Sequence, residues 1–339
     1  MHLSIRFGTI LALMYWLSSC ISDAPRINPL DPAFTVNQKI RIQGKVTRFN
    51  TTTGIANAQI SIGSGEVFTR SDANGNYTLE ANLADGSYLL RCNAPGYAAD
   101  STQINLQAET AAQHNFLLNG LPELESISLT TRHLGSFIPP DAFFIDLLVT
   151  VDDVDGLGDI DLVWCEIPDL QFSDTLQVIQ QSQQYFARLT TRQLDVSALE
   201  ALQGTPFFVY VRDMQGDVTV SDARFISRII DTAPVTTSPT GLTGQPVQFQ
   251  WQAFAQPYSF IYRIEVYPNV NIALPPVATI NSIPSDETTI QLSTTLTAGE
   301  YYWVLYAVDA FGNYSRSVQT ALIIGSAPST SPTNNGLIE

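Results

Sequence analysis

The chain has 339 residues, of which 45% are hydrophobic, and a formal net charge of −16 from 32 acidic and 16 basic residues. Its length exceeds one ordinary domain, and its apolar share builds real cores, which excludes an acidic disordered tail. A surface this acidic repels phosphate backbones, so nucleic acid is not an expected partner.

Only 14% of the residues are charged. Polarity comes instead from Ser, Thr, Asn and Gln, mixed with β-branched and aromatic residues. That mixture suits extracellular β-structure. The expected fold class is all-β, with three β-sandwich domains in series behind a leader segment.

Residues 1–19 carry Arg6 and then the run "GTILALMYWL", too short to span a membrane as a mature helix. The segment "LSSC" at residues 17–20 resembles a bacterial lipobox: an aliphatic residue, two small residues, then cysteine. The resemblance implies cleavage before Cys20 and covalent diacylglycerol on its thiol. Lipid would then be the membrane anchor, at the bacterial outer membrane or cell surface. Residues 20–38 hold Pro25, Pro29 and Pro32 and read as an extended spacer.

Residues 39–119 alternate short β-like runs with Gly, Asn, Asp and Pro turns. "GKV", "IANAQISI", "TRSDANGNYTL" and "LADGSYLLRCNAPGYA" follow in an order that resembles the carboxypeptidase regulatory-like domain. That resemblance implies a transthyretin-like seven-strand sandwich. It also relates the segment to adhesin repeats that form a Lys–Asn isopeptide bond beside a glutamate. Cys92 stands where that glutamate belongs and Lys45 comes early for the reactive lysine, so no isopeptide is expected.

Residues 120–231 hold longer strands. In "FFIDLLVTV", Phe143, Ile145, Leu147, Val149 and Val151 share one face. A short helical turn is expected at "DVSALEAL", capped by Asp195 or Ser197. The pattern resembles an immunoglobulin-like sandwich. Cys92 and Cys165 each lie inside a β-like run and read as separately buried thiols.

Residues 232–325 end in "YYWVLYAVDAFGNYSRS". Tyr301, Ala307, Asp309 and Gly312 fall at the spacing that closes a fibronectin type III domain, which this segment resembles. Leu296 sits one residue nearer than usual, leaving either Tyr301 or Tyr302 as the corner tyrosine. Residues 326–339 form a low-complexity tail expected to be disordered.

No catalytic constellation is legible. The histidines are His2, His114 and His133, without a second metal ligand at usable spacing. There is no nucleophile elbow and no phosphate-cradling glycine loop. The expectation is a non-enzyme.

Two stretches remain as candidate binding sites. "VDDVDGLGDID", residues 151–161, fits neither EF-hand register: with Gly156 at the sixth position, Val151 and Leu162 occupy ligand positions. Its core Asp153–Gly156 repeats an Asp-x-x-Gly pattern found also at Asp72, Asp213 and Asp309. This is type I turn chemistry, read here as a hairpin turn. Calcium held by Asp153, Asp155 and Asp159 is the sharper reading, because clustered carboxylates repel unless a cation screens them.

The second stretch is "YYWVLY". Tyr301 and Trp303 share one face of the strand, Tyr302 and Tyr306 the other, while a sandwich strand buries one face. These four residues are the candidate ligand platform, and exposed aromatics stack on sugar rings. The expected role is a non-catalytic binding or scaffolding module at the cell surface, with an envelope protein or polysaccharide as partner. The alternative is a carbohydrate-binding accessory lipoprotein.

Overall fold

The structure, a computed structural model, describes residues 39–107, 111–138, 140–179, 182–270, 272 and 274–325. The leader, Cys20, the spacer and the tail from residue 326 lie outside the described residues. The chain divides between Asn119 and Gly120 into two compact units. The described elements are β-strands and three short 3-10 helices. No helix of the described residues is long and apolar enough to cross a membrane.

The first unit contains β1 (Lys39–Arg48), β2 (Gln59–Ile62), β3 (Val67–Arg70), β4 (Asn76–Asn82), β5 (Gly86–Asn93), β6 (Asp100–Leu106), β7 (Ala111–Gln113) and β8 (Phe116–Leu118). One sheet runs β4-β1-β7 with β8 also on β1, and the other runs β3-β2-β5-β6. Ile40, Ile42, Ile60, Leu79, Leu90 and Phe116 fill the space between them. β1 pairs in parallel with β7 along Arg41–Gln43 and with β8 along Val46–Arg48. Gly44 sits at the switch, where a Cβ would stand 1.6 Å from the His114 carbonyl oxygen. Only glycine lets the two backbones approach so closely. The Tyr77 hydroxyl donates to the same carbonyl at 2.8 Å.

The second unit opens with β9 (Glu123–Leu134), β10 (Ala142–Asp152), β11 (Ile160–Ile167), β12 (Phe172–Thr175), β13 (Gln177–Val178), β14 (Gln184–Thr190), β15 (Phe208–Asp213) and β16 (Val218–Val220). It continues with β17 (Thr236–Ser238), β18 (Gly241–Thr243), β19 (Gln248–Trp251), β20 (Phe260–Pro268), β21 (Ala278–Pro284), β22 (Thr289–Gln291), β23 (Gly299–Asp309), β24 (Tyr314–Arg316) and β25 (Thr320–Ile324). The two halves have separate cores. Ile145, Leu147, Val149 and Val151 pack on Val163 and Val209 in the first, while Trp303 and Tyr262 pack on Phe249 and Trp251 in the second.

Instead of standing as two sandwiches in series, these halves share one ten-stranded sheet. Its path is β13-β14-β10-β9-β24-β23-β20-β21, with β25 on β23 and β18 on β25. β12-β11-β15-β16 covers the first half and β17-β19-β22 the second. The halves join where β24 pairs in parallel with β9, Ser315 opposite His133.

Polar side chains secure that seam. Asn313 Oδ1 accepts the Thr131 N–H at 2.8 Å, and its Nδ2 donates to Ser227 Oγ at 3.0 Å and Asp309 Oδ2 at 2.9 Å. Arg132 Nη1 donates to the Gly312 carbonyl at 2.6 Å. The His133 ring lies between Ser315 Oγ and Asp141 Oδ2, 2.8 Å from each, and stacks on Phe143.

On the outer face of the sheet, cations and rings alternate across the same seam. Asp146 takes Arg188 at 2.7 Å and Arg132 at 3.0 Å. Arg132 lies over Tyr314, Tyr314 meets Tyr306 edge-on, and Arg263 lies over Tyr306. Arg263 also pairs with Glu265 at 3.1 Å. The ladder satisfies the buried Asp146 and covers apolar rings without an additional layer of chain.

Two local expectations change. The 3-10 helix Leu199–Leu202 buries both leucines, but neither Asp195 nor Ser197 caps it; its N-cap is Ala198. Of the four Asp-x-x-Gly turns, only those at Asp213 and Asp309 close hairpins, β15–β16 and β23–β24. Those at Asp72 and Asp153 are corners that carry the chain between sheets, because a type I turn fixes the reversal but not the next pairing partner.

Replacing Asn313 with Ala leaves the buried Thr131 N–H and the Asp309 carboxylate short of partners. We expect a loss of about 2–4 kcal/mol from the second unit, read as a lower urea midpoint. Asp146→Ala strips the shared counter-ion from two arginines and is expected to cost about 2–4 kcal/mol in the same assay, with Asp146→Asn intermediate.

Candidate functional site

The expected aromatic platform is not a surface. Trp303 is wholly buried, packs on Phe249 and donates its Nε1–H to the Pro239 carbonyl at 2.9 Å. Tyr301 is also buried, and its hydroxyl meets Thr297 Oγ1 at 2.8 Å and the Thr297 carbonyl at 3.1 Å. It is therefore the corner tyrosine. Tyr306 is buried within the arginine ladder. Of the four residues, only Tyr302 keeps a half-exposed ring, stacked on Tyr267 with centroids 5.2 Å apart. On the second face of β23, Tyr306 is covered by Arg263 of β20 and Tyr314 of β24, and Arg132 of β9 lies in turn over Tyr314.

A better aromatic surface lies on the outward face of β12-β11-β15-β16. The inward residues Val163, Cys165, Ile167, Val209 and Val211 are buried, which turns their alternate neighbours outward. Trp164 stands opposite Tyr210, and the rings stack 4.9 Å apart at 9°. Trp164 Nε1 donates to Glu166 Oε1 at 2.9 Å. Phe208 lies opposite Glu166, Val220 continues the Tyr210 row, and Arg212 binds Asp161 at 2.6 Å. Val218 and Val220 are 49% and 51% exposed on the edge strand. The signal was present in "LVWCEI" and "FVYVRD", whose outward positions hold Trp, Glu, Phe, Tyr and Arg. A flat ring pair flanked by carboxylate and guanidinium can stack on an apolar ring face and bind hydroxyl groups.

The acidic stretch also rearranges. Carboxylate oxygens of Asp153, Asp159 and Asp213 lie within 4.8 Å of one another. Asp155, expected in the cluster, instead directs Oδ2 to the Gly120 N–H at 2.6 Å. Asp213 comes from the end of β15, 60 residues from Asp153 in the chain, and no local spacing rule links them. Burial pushes the Asp153 carboxyl up to about 6, with further upward pressure from Asp159, Asp155 and Asp213, against the Asp155 N–H that pulls it down. Burial likewise raises Asp159, helped by Asp213 and Asp155.

Ser315, His133 and Asp141 form a hydrogen-bonded chain of the residue types used in nucleophilic catalysis. Ser315 is 0% exposed and His133 is buried, so no substrate carbonyl can reach the hydroxyl. The triad fastens β24 to β9, and the bond from His133, with the Ser136 N–H, lowers the Asp141 carboxyl from its ordinary value. Both described thiols are free and buried, and burial pushes Cys92 up to about 12 and Cys165 up to about 11. Neither is a thiolate nucleophile at neutral pH.

No curated protein matches the chain. Among solved structures, a DUF3823 family protein from Bacteroides ovatus is similar at 12% identity and TM-score 0.25, covering 56% of this chain and 98% of that one. The chicken CNTN1 FN1–FN3 domains are similar at 15% identity and TM-score 0.31, covering 80% and 92%. Fibronectin(III)-like modules of CbhA from Clostridium thermocellum are similar at 13% identity and TM-score 0.28, covering 60% and 93%. Residues 41–119, within the first unit, match the carboxypeptidase regulatory-like domain family.

Proposed function

We propose that this protein is a lipid-anchored component of the bacterial cell envelope that works as a non-catalytic binding or scaffolding module. Cys20, placed by the lipobox-like "LSSC", supports the anchor. The acidic surface and the absence of an accessible catalytic constellation among the described residues support a binding role.

The observation that carries the binding role is the outward Trp164–Tyr210 pair with Glu166 beside it. Half-exposed stacked rings edged by hydrogen-bonding groups favour a polysaccharide as the occupant, which makes glycan accessory work the specific second reading. Tyr302 stacked on Tyr267 offers a smaller surface of the same kind.

The soluble chain from residue 21 onward should be measured against a panel of polysaccharides. Trp164→Ala is expected to weaken the best ligand about fivefold, since one ring contact in such a site is worth roughly 1 kcal/mol. Tyr302→Ala separates the two surfaces. Affinity untouched by both changes would remove the glycan reading and leave a protein partner. Lipid labelling of intact cells checks the anchor: label is expected on the wild type and lost in Cys20→Ala, and label that persists would overturn it.

A further inference from the structure

The four Asp-x-x-Gly turns provide an internal comparison. In each, the Gly N–H returns to the Asp carbonyl, at 3.0 Å for Asp72 and Asp153, 3.2 Å for Asp213 and 3.1 Å for Asp309. In three of them, Asp Oδ1 also caps two backbone N–H groups. Asp72 takes Asn74 and Asn76 at 2.8 and 2.9 Å. Asp213 takes Gln215 and Asp217 at 3.0 and 2.8 Å, and Asp309 takes Phe311 and Asn313 at 2.9 Å each.

Asp153 departs from this pattern. Its Oδ1 accepts the Asp155 N–H at 2.7 Å, and the second cap is missing because the chain enters the 3-10 helix Leu157–Asp159. Its Oδ2 is buried without a hydrogen-bond partner, and the residue as a whole is 5% exposed. A desolvated carboxylate oxygen with no donor is costly, and native structures rarely keep one.

The same 3-10 helix delivers a second carboxylate to that place. The Asp159 carbonyl accepts the Met214 N–H at 2.8 Å, which docks the Asp213 turn beside it. Asp213 is 1% exposed. Thus carboxylate oxygens from three segments lie within 4.8 Å of one another, and one of the three residues is Asp153, whose Oδ2 has no donor.

We propose that Asp153, Asp159 and Asp213 form a calcium site that clamps the β10–β11 corner to the β15–β16 hairpin. All donors are hard carboxylate oxygens, which suit calcium, magnesium or manganese over zinc or copper. Calcium holds its oxygens at about 2.4 Å, so two of them stand up to ~4.8 Å apart, whereas magnesium demands a tighter octahedron. The cation relieves both the mutual repulsion of the cluster and the stranded Asp153 oxygen. Asp155 remains in the second ring: it adds charge and ties Gly120, where this unit begins, to the same loop.

The test uses the chain from residue 21 onward, stripped with chelator and titrated with calcium chloride by calorimetry. One saturable site is expected, with a Kd of about 10⁻⁵ to 10⁻³ M, and calcium should raise the melting temperature. Asp153→Asn and Asp159→Asn should each weaken binding at least about tenfold, as expected when a charged ligand is lost from a small oxygen site. Asp213→Asn also weakens a turn cap, so the other two variants carry the test if it fails to fold. Asp72→Asn, a change in the same turn type of the other unit, should leave calcium affinity unchanged. A flat wild-type titration would overturn the proposal. So would affinity unaltered by Asp153→Asn and Asp159→Asn, which would move the ion elsewhere on the acidic surface.

Discussion

The parallel pairing of β24 with β9 is the constraint on which the second unit depends. Three residues of β24 face three of β9. Backbone bonds over so short a run do not hold two sandwiches by themselves. Asn313, Ser315 and His133 are therefore buried polar groups with complete sets of partners on both sides of the seam. Burial makes each of these bonds strong and its loss costly. The result is one sheet with two cores, instead of two beads on a linker.

The shared sheet decides which aromatic residues can meet a ligand. On its outer face the rings of Tyr306 and Tyr314 are taken up by Arg263 and Arg132, and Asp146 is shared by two arginines. That surface satisfies itself. The covering sheet β12-β11-β15-β16 ends in the exposed edge strand β16 and, among the described residues, shows no such cation ladder. Trp164 and Tyr210 consequently stack on each other and stay half-exposed.

One turn motif serves several purposes in this chain. Asp72 and Asp309 use both carboxylate oxygens within their own turns, and Asp309 adds an ion pair to Arg228. Asp153 has the same sequence signature but a different exit, into a 3-10 helix, and this strands one oxygen. Local chemistry makes all four turns alike, and the path after the glycine sets them apart.

Much of this protein was legible in its sequence. Alternation placed Ile145, Leu147, Val149 and Val151 in the core, because side chains change faces at every residue of a strand. Gly and Asp marked the turns, because only a flexible φ and a short acceptor fit them. The motif order in residues 39–119 pointed to the family whose model matches residues 41–119. The binding surfaces were not legible, because burial depends on partners distant in the chain. "YYWVLY" looks exposed on one face until Arg263 and Tyr314 cover Tyr306, and Asp155 looks like a ligand until Asp213 arrives from β15. Sequence by itself determined which residues face in or out along each strand, a matter of local stereochemistry. Tertiary structure alone decided which outward faces remain open and which acids meet, because both depend on which strands become neighbours.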